Sequence, residues 1–196
     1  MRTALVVCLL ACLAGALASV ARDTESASTA IDLGAAGGII DALSDHPASA
    51  VIMRHVAFAV AALAAAGVLS REALVRCGAV PALVHALPRR AADAGCVVAL
   101  LCALRPLAPS PDYATAAVAA GLPAALAAVL RAQAGTAAVV RAALGLARPL
   151  CGRRDAVDAL REAGVAEVLT AAAVTLGAPD IAEGAAEVAR AVEVGQ

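Results

Sequence analysis

One short phrase recurs four times along the chain: a glycine, then small apolar residues, then a leucine five positions on. It reads Gly38-Ile-Ile-Asp-Ala-Leu43, Gly78-Ala-Val-Pro-Ala-Leu83, Gly121-Leu-Pro-Ala-Ala-Leu126 and Gly164-Val-Ala-Glu-Val-Leu169. The glycines stand 40, 43 and 43 residues apart. A period of roughly 40–47 residues in a helical sequence marks a solenoid, in which no unit buries its apolar face alone and stacked neighbours complete the core. Nothing alternates with period two over a useful length, so no strands are expected. The predicted class is all-α, a solenoid of about four three-helix units.

Each unit resolves into three helical stretches. The first ends at the glycine: Arg71 to Cys77, Asp112 to Ala120 and Arg154 to Ala163, with Ser70 and Pro111-Asp112 placed as N-cap and first-turn residues. The glycine suits a left-handed residue past a helix end, where the missing Cβ removes the steric penalty. Pro81 and Pro123 then open the second stretch, because the first-turn N–H groups need no intrahelical acceptor. Second stretches run Pro81 to Leu87, Pro123 to Gln133 and Ala166 to Leu176. Third stretches run Val51 to Ala66, Ala94 to Leu107, Thr136 to Leu150 and Ile181 to Val194, and are so apolar that both sides should be covered. The repeats are expected at about 24–69, 70–110, 111–152 and 153–196, forming a domain over 23–196 behind an apolar N-terminal segment, 1–22.

That N-terminal segment has two readings. Arg2, an apolar stretch from Ala4 to Ala14, and Ala16-Leu17-Ala18 before Ser19 have the shape of a cleavable secretory signal over residues 1–18. At its length it also just suffices to span a bilayer as a retained anchor. The other reading is a truncated repeat helix: Val6-Val-Cys-Leu-Leu-Ala-Cys-Leu13 copies the pattern of Val97-Val-Ala-Leu-Leu-Cys-Ala-Leu104, and Leu17 to Gly34 has the same separation as Leu104 to Gly121. The repeat reading is preferred and places the protein in the cytoplasm or nucleus. The alternative places it in the secretory pathway.

Composition narrows the function. Apolar residues make up 62% of the chain, yet it holds one Phe, one Tyr and no Trp, so the core must be Ala, Leu and Val. A net charge of −1 with no basic stripe and no aromatic platform excludes a typical nucleic-acid surface. Cys8, Cys12, Cys77, Cys96, Cys102 and Cys151 form no Cys-x-x-Cys pair, and His46, His55 and His85 stand at no ligand spacing from them, so no metal and no cofactor are expected. No phosphate loop, nucleophile elbow or recognisable triad occurs, and no catalytic residue is assigned. His55 and His85 read as packed or surface residues, and Asp112 and Asp155 as helix caps.

The stretch Arg71-Glu-Ala-Leu-Val-Arg-Cys-Gly-Ala-Val-Pro-Ala-Leu-Val-His-Ala-Leu87 resembles an armadillo repeat: first helix, glycine turn, second helix. Weaker copies start at Asp112 and Arg154, and Gly37 through Pro47 is similar to a variant of the unit. HEAT repeats share the period and are the structural alternative. The resemblance implies a right-handed superhelix whose third helices line a concave groove. In members that hold extended peptides, the groove carries a ladder of Trp and Asn. By that resemblance the Trp site falls on Ala61, Cys102 and Gly145, and the Asn site on Ala65, Pro106 and Pro149. None is Trp or Asn, so nuclear-import-type capture is not expected.

The candidate partner-binding residues are arginines. Arg105-Pro-Leu107 and Arg148-Pro-Leu150 repeat 43 residues apart, and Arg141 and Arg190 lie on neighbouring third stretches. Such guanidiniums can form a ladder for an acidic partner. Alternatively each snorkels from an apolar helix end into water. The expected function is a non-enzymatic adaptor or scaffold that binds a protein or peptide along the third helices. The alternatives are a structural part of a larger repeat protein, or a secretory-pathway binding protein.

Overall fold

Four glycines with left-handed backbone divide the chain into near-equal units: Gly34 (φ 84°), Gly78 (85°), Gly121 (78°) and Gly164 (68°). They stand 44, 43 and 43 residues apart. The computed structural model describes residues 23–194, together with Gly15, Ala16 and Ser19. Apart from Gly15 and Ala16, residues 1–18 and with them both readings of that segment fall outside the described residues.

Unit one comprises α1 (Thr24–Asp32), α2 (Ala35–Asp45) and α3 (Ala50–Ala66). Unit two comprises α4 (Val68–Arg76), α5 (Ala79–Arg89) and α6 (Ala94–Leu104), the last continued by a 3-10 turn over Arg105–Leu107. Unit three holds α7 (Tyr113–Ala119), α8 (Leu122–Ala132) and α9 (Ala137–Leu150). Unit four holds α10 (Arg154–Glu162), α11 (Val165–Leu176) and α12 (Pro179–Val194). Among the described residues every regular element is helical. The third helices stack in order, α3 on α6, α6 on α9 and α9 on α12, and the second helices α2, α5, α8 and α11 do the same behind them. The chain is an α-solenoid.

Three sequence expectations are corrected. The first unit turns at Gly34, while Gly38 lies inside α2. The residue five positions after Gly34 is Ile39, so the Leu83, Leu126 and Leu169 position is filled in unit one by buried Ile39. Ser70 is no N-cap: Gly67 breaks the chain and α4 opens at Val68, leaving Ser70 buried in its first turn. The stretch Ala94 to Leu107 is not one α-helix. Pro109 has no N–H for the Arg105 carbonyl, so Ala108 donates to it instead at 3.2 Å and tightens the end to 3-10.

Leu83, Leu126 and Leu169 are each buried in one continuous core with the Ala, Leu and Val of adjacent units. Asp23, Ser49 and Asp93 cap α1, α3 and α6 by accepting the N–H of the residue three positions on. Asp112 occupies the N-cap position of α7 without a side-chain bond, and Asp155 lies in the first turn of α10, behind Arg153.

Adjacent units are also stitched at their loops. Arg90 donates to the Pro47 carbonyl at 3.2 Å, and 43 residues later Gln133 donates to the Ala91 carbonyl at 2.8 Å. The next place in this series is Gly177, which has no side chain to offer.

Candidate functional site

Burial puts the third helices in register. Met53, Ala57 and Val60 of α3 correspond to Val97, Leu101 and Leu104 of α6, 44 residues on, and to Val140, Leu144 and Ala147 of α9, another 43 on. Buried Val139, Ala143 and Leu146 of α9 correspond to Ile181, Ala185 and Val188 of α12, 42 on. Two columns of exposed and half-buried residues follow. Arg105, Arg148 and Arg190 form one, with Ala61 in unit one. Phe58, Cys102, Gly145 and Glu187 form the other.

The register corrects the positions carried over from the resemblance. Phe58, not Ala61, stands level with Cys102 and Gly145, and Ala62, not Ala65, stands level with Pro106 and Pro149. The only phenylalanine of the chain thus stands at the position to which the resemblance assigns tryptophan, and it is 64% exposed.

Between the ends of α6, α9 and α12 lies a shallow cleft of about 350 Å³, lined by Arg105, Arg141, Leu144, Gly145, Arg148, Asp180 and Glu183. Three of the four predicted arginines line it, while Arg190 lies further along α12. Arg141 grips Asp180 with Nε to Oδ2 at 2.6 Å and a second nitrogen to Oδ1 at 3.3 Å. That hydrogen bond and charge hold the Asp180 carboxyl below the usual carboxylate range and raise the Arg141 guanidinium above its own. Arg148 meets Glu187 at 2.9 Å. Near the other end Arg54 approaches Asp93 at 3.9 Å. These side chains are 37–55% exposed, so water and salt screen each pair and its contribution to stability is small.

The four arginines are therefore not alike. Arg141 and Arg148 are each matched by a carboxylate of the next unit. Arg105 makes no ion pair among the described residues, and Arg190 donates to the Ala186 carbonyl of its own helix at 3.2 Å. Sequence reasoning missed the matching carboxylates. Their signal is a carboxylate 39 residues after an arginine, shared by Arg54–Asp93, Arg141–Asp180 and Arg148–Glu187.

Other chemistry is sparse. Among the described residues no three His, Cys, Asp or Glu side chains converge as a metal site. Cys77 and Cys102 are exposed free thiols, and burial raises the thiols of Cys96 and Cys151, favouring the uncharged, unreactive form. His55 is exposed and bonds the Val51 carbonyl at 2.8 Å, and His85 is exposed on α5. Among the described residues no single helix is long and apolar enough to cross a membrane.

No protein-family model matches the chain, and no curated protein matches it in sequence. Solved structures do match. The designed armadillo repeat protein YIII(Dq)4CqI superposes with a TM-score of 0.76 at 20% identity, over 91% of this chain and 74% of that one. The designed armadillo repeat protein YIII(Dq.V1)4CPAF, in complex with the peptide (KR)4, gives a TM-score of 0.76 at 20% identity, over 91% and 73%. An engineered protein matches at a TM-score of 0.54 and 16% identity, over 92% of this chain and 90% of that one. The fold of this chain is the armadillo-type α-solenoid, with three helices per unit.

Proposed function

We propose that this protein is a non-enzymatic scaffold that holds an extended acidic segment of a partner protein along its third helices. The observation that carries the reading is the Arg105, Arg148, Arg190 column. It sets one exposed guanidinium on the third-helix stretch of each of units two, three and four, and the first of them makes no ion pair among the described residues. The peptide (KR)4 in complex with one designed neighbour supports a peptide ligand for this architecture. The side chains here favour the opposite ligand charge, because a guanidinium fork matches a carboxylate in both geometry and sign. Phe58 supplies an apolar contact at the unit-one end.

The direct test is fluorescence anisotropy with three labelled peptides: alternating Glu-Ser, Lys-Ser and Gln-Ser. The expected result is binding of the Glu-Ser peptide alone, weakening as salt rises. Equal binding of all three, or none, overturns the reading.

The compartment depends on residues 1–18. We place the protein inside the cell, with the repeat helix retained. Intact mass and N-terminal sequencing of protein from its source test this: a chain beginning at Ser19 assigns it to the secretory pathway instead.

A further inference from the structure

Unit four carries a surface that its neighbours have already put to use. In unit three, Ala127 of α8 and Val140 and Leu144 of α9 are buried on the side where α11 and α12 stack. Thr170, Ala182 and Ala186 hold the same places one unit on, and all three are exposed. The far side of unit four is thus the side that in unit three receives two helices. There α11 and α12 enclose a shallow cleft of about 440 Å³. Ala166, Ala171, Val174 and Ala189 line it, with Glu167 and Glu193 as its charged members. Val174 is 80% exposed.

The lining selects the occupant. Thr170 also lines the cleft, but its hydroxyl is spent on the Ala166 carbonyl of its own helix at 2.9 Å. No side-chain donor is left for the carbonyls of an extended ligand, whereas a helix arrives with its main chain already paired. Glu167 and Glu193 make no ion pair among the described residues. Arg131 reaches the same Gly164 corner as Glu167 and donates instead to the Ala163 carbonyl at 3.4 Å. Charge also decides against a second copy stacked end to end. Residues 153–196 hold eight carboxylates against four arginines, and 23–66 hold five against one. The middle, 67–152, holds eight arginines against three carboxylates. Joining two copies end to end would set acid against acid.

We infer that the far side of α11 and α12 docks a basic amphipathic helix of a partner protein. The apolar stripe of that helix packs on Val174 and the alanines, in the way a helix is held in an apolar trough. Lysines or arginines beside the stripe meet Glu167 and Glu193. This goes beyond the function proposed above and does not rest on it, because surface, ligand charge and ligand conformation all differ. The two sites together make the chain an adaptor, with an acidic segment along its groove and a basic helix at its end.

The experiment uses three labelled peptides of about 18 residues, five helical turns. One has leucines at i, i+3 or i+4 and i+7 flanked by lysines, the second replaces the lysines by glutamates, and the third scrambles the leucines of the first. The full chain is taken as wild type, Val174→Arg and Glu167→Gln/Glu193→Gln, all changes of exposed side chains. Anisotropy should show wild type binding the first peptide alone. Val174→Arg should weaken it about ten-fold or more, since a cation then faces the basic ligand. The double Gln variant should weaken it about two- to ten-fold, the range of two exposed ion pairs. Neither change should alter binding of the Glu-Ser peptide, so this site and the groove fail or stand separately. The Val174 methyl resonances should move when wild type takes up the basic helix, a readout that needs no variant. Equal binding of the lysine and glutamate helices, no binding, or full affinity in Val174→Arg overturns the site. Self-association of wild type in sedimentation, lost in Val174→Arg, assigns the face to a second copy and overturns it too.

Discussion

The side chain of Arg105 lies across Gly145 of the next unit: a methyl group added there would sit 3.6 Å from the arginine Cδ. A related contact occurs one unit on, three residues before the place level with Gly145: a carbon added at Gly184 would meet Leu144 Cδ1 at 3.0 Å and an Arg148 nitrogen at 3.2 Å. Arg54 over Gly95 is a looser third case, at 3.8 Å. Glycine inside a helix costs roughly 0.5–1 kcal/mol relative to alanine. At these places it lets an arginine from one unit lie flat on the helix of the next, which fixes where the guanidinium emerges.

Releasing an arginine should therefore strengthen ligand binding. Glu187→Gln frees Arg148 and Asp180→Asn frees Arg141. Each should raise affinity for the Glu-Ser peptide about two- to five-fold at low salt, the range of an exposed ion pair. Arg105→Gln should lower it by a similar factor, and Arg105→Gln/Arg148→Gln by more than either change alone. Anisotropy titrations of the five variants check the series. Unchanged affinity throughout would place the ligand on another face.

Two glycines of the first unit, Gly34 and Gly38, should respond oppositely to alanine. Gly34 has φ 84° and alanine there must strain into left-handed backbone, at about 1–2 kcal/mol. Gly38 lies inside α2 with open space around a new methyl, so alanine should stabilise by about 0.5–1 kcal/mol. Urea melts of the two variants test the register directly.

Leu126 is fully buried between α8 and its neighbours, and Leu126→Ala should destabilise by about 2–5 kcal/mol. In an array coupled through nearest neighbours, the loss should appear in amide exchange of units two to four before α1. An unchanged melting temperature would contradict the core position of the glycine-plus-five residue.

The acid limb of stability should involve Asp93. The N–H of Cys96, hydrogen-bonded to its carboxylate, holds the Asp93 carboxyl below its usual range, with Arg54 adding to the effect. A folded value below the unfolded one, about 3.9, means the stabilisation is present above that pH and is lost as pH falls through the folded value. Wild type should melt higher than Asp93→Ala at pH 7, and the gap should close as the pH falls through and below the usual carboxylate range. A gap that persists there would mean that the loss comes from packing and not from the charged cap.

The period and the unit composition were legible because a solenoid writes its geometry as sequence spacing. Legibility failed where two candidates stood close together. Gly38 precedes Leu43 by the right interval, so a search for glycine plus leucine passes over Gly34, whose partner is Ile39. Taking Gly38 as the turn made the first interval 40 residues in place of 44, and this likewise drew the position level with Cys102 from Phe58 toward Ala61. The tripeptides around Arg105 and Arg148 are identical, yet one ends in a 3-10 turn and the other stays α-helical, because the second proline that decides it lies beyond the motif. The carboxylates facing Arg141 and Arg148 were invisible for a different reason. Exposed charges carry no hydrophobic period, so only the stack reveals which of them meet.

The joints between units are not built alike. Unit three meets unit four through Arg141–Asp180 and Arg148–Glu187, while units two and three are joined by Gln133 on the Ala91 carbonyl and by packing, with no ion pair among the described residues. Charge pairs in water weaken with ionic strength, whereas packed alanine and leucine do not. Salt therefore touches this chain unevenly. As it rises the third-to-fourth joint loses its two charge pairs and should soften slightly more than the joint before it, while the apolar packing of α9 on α12 keeps the last unit docked.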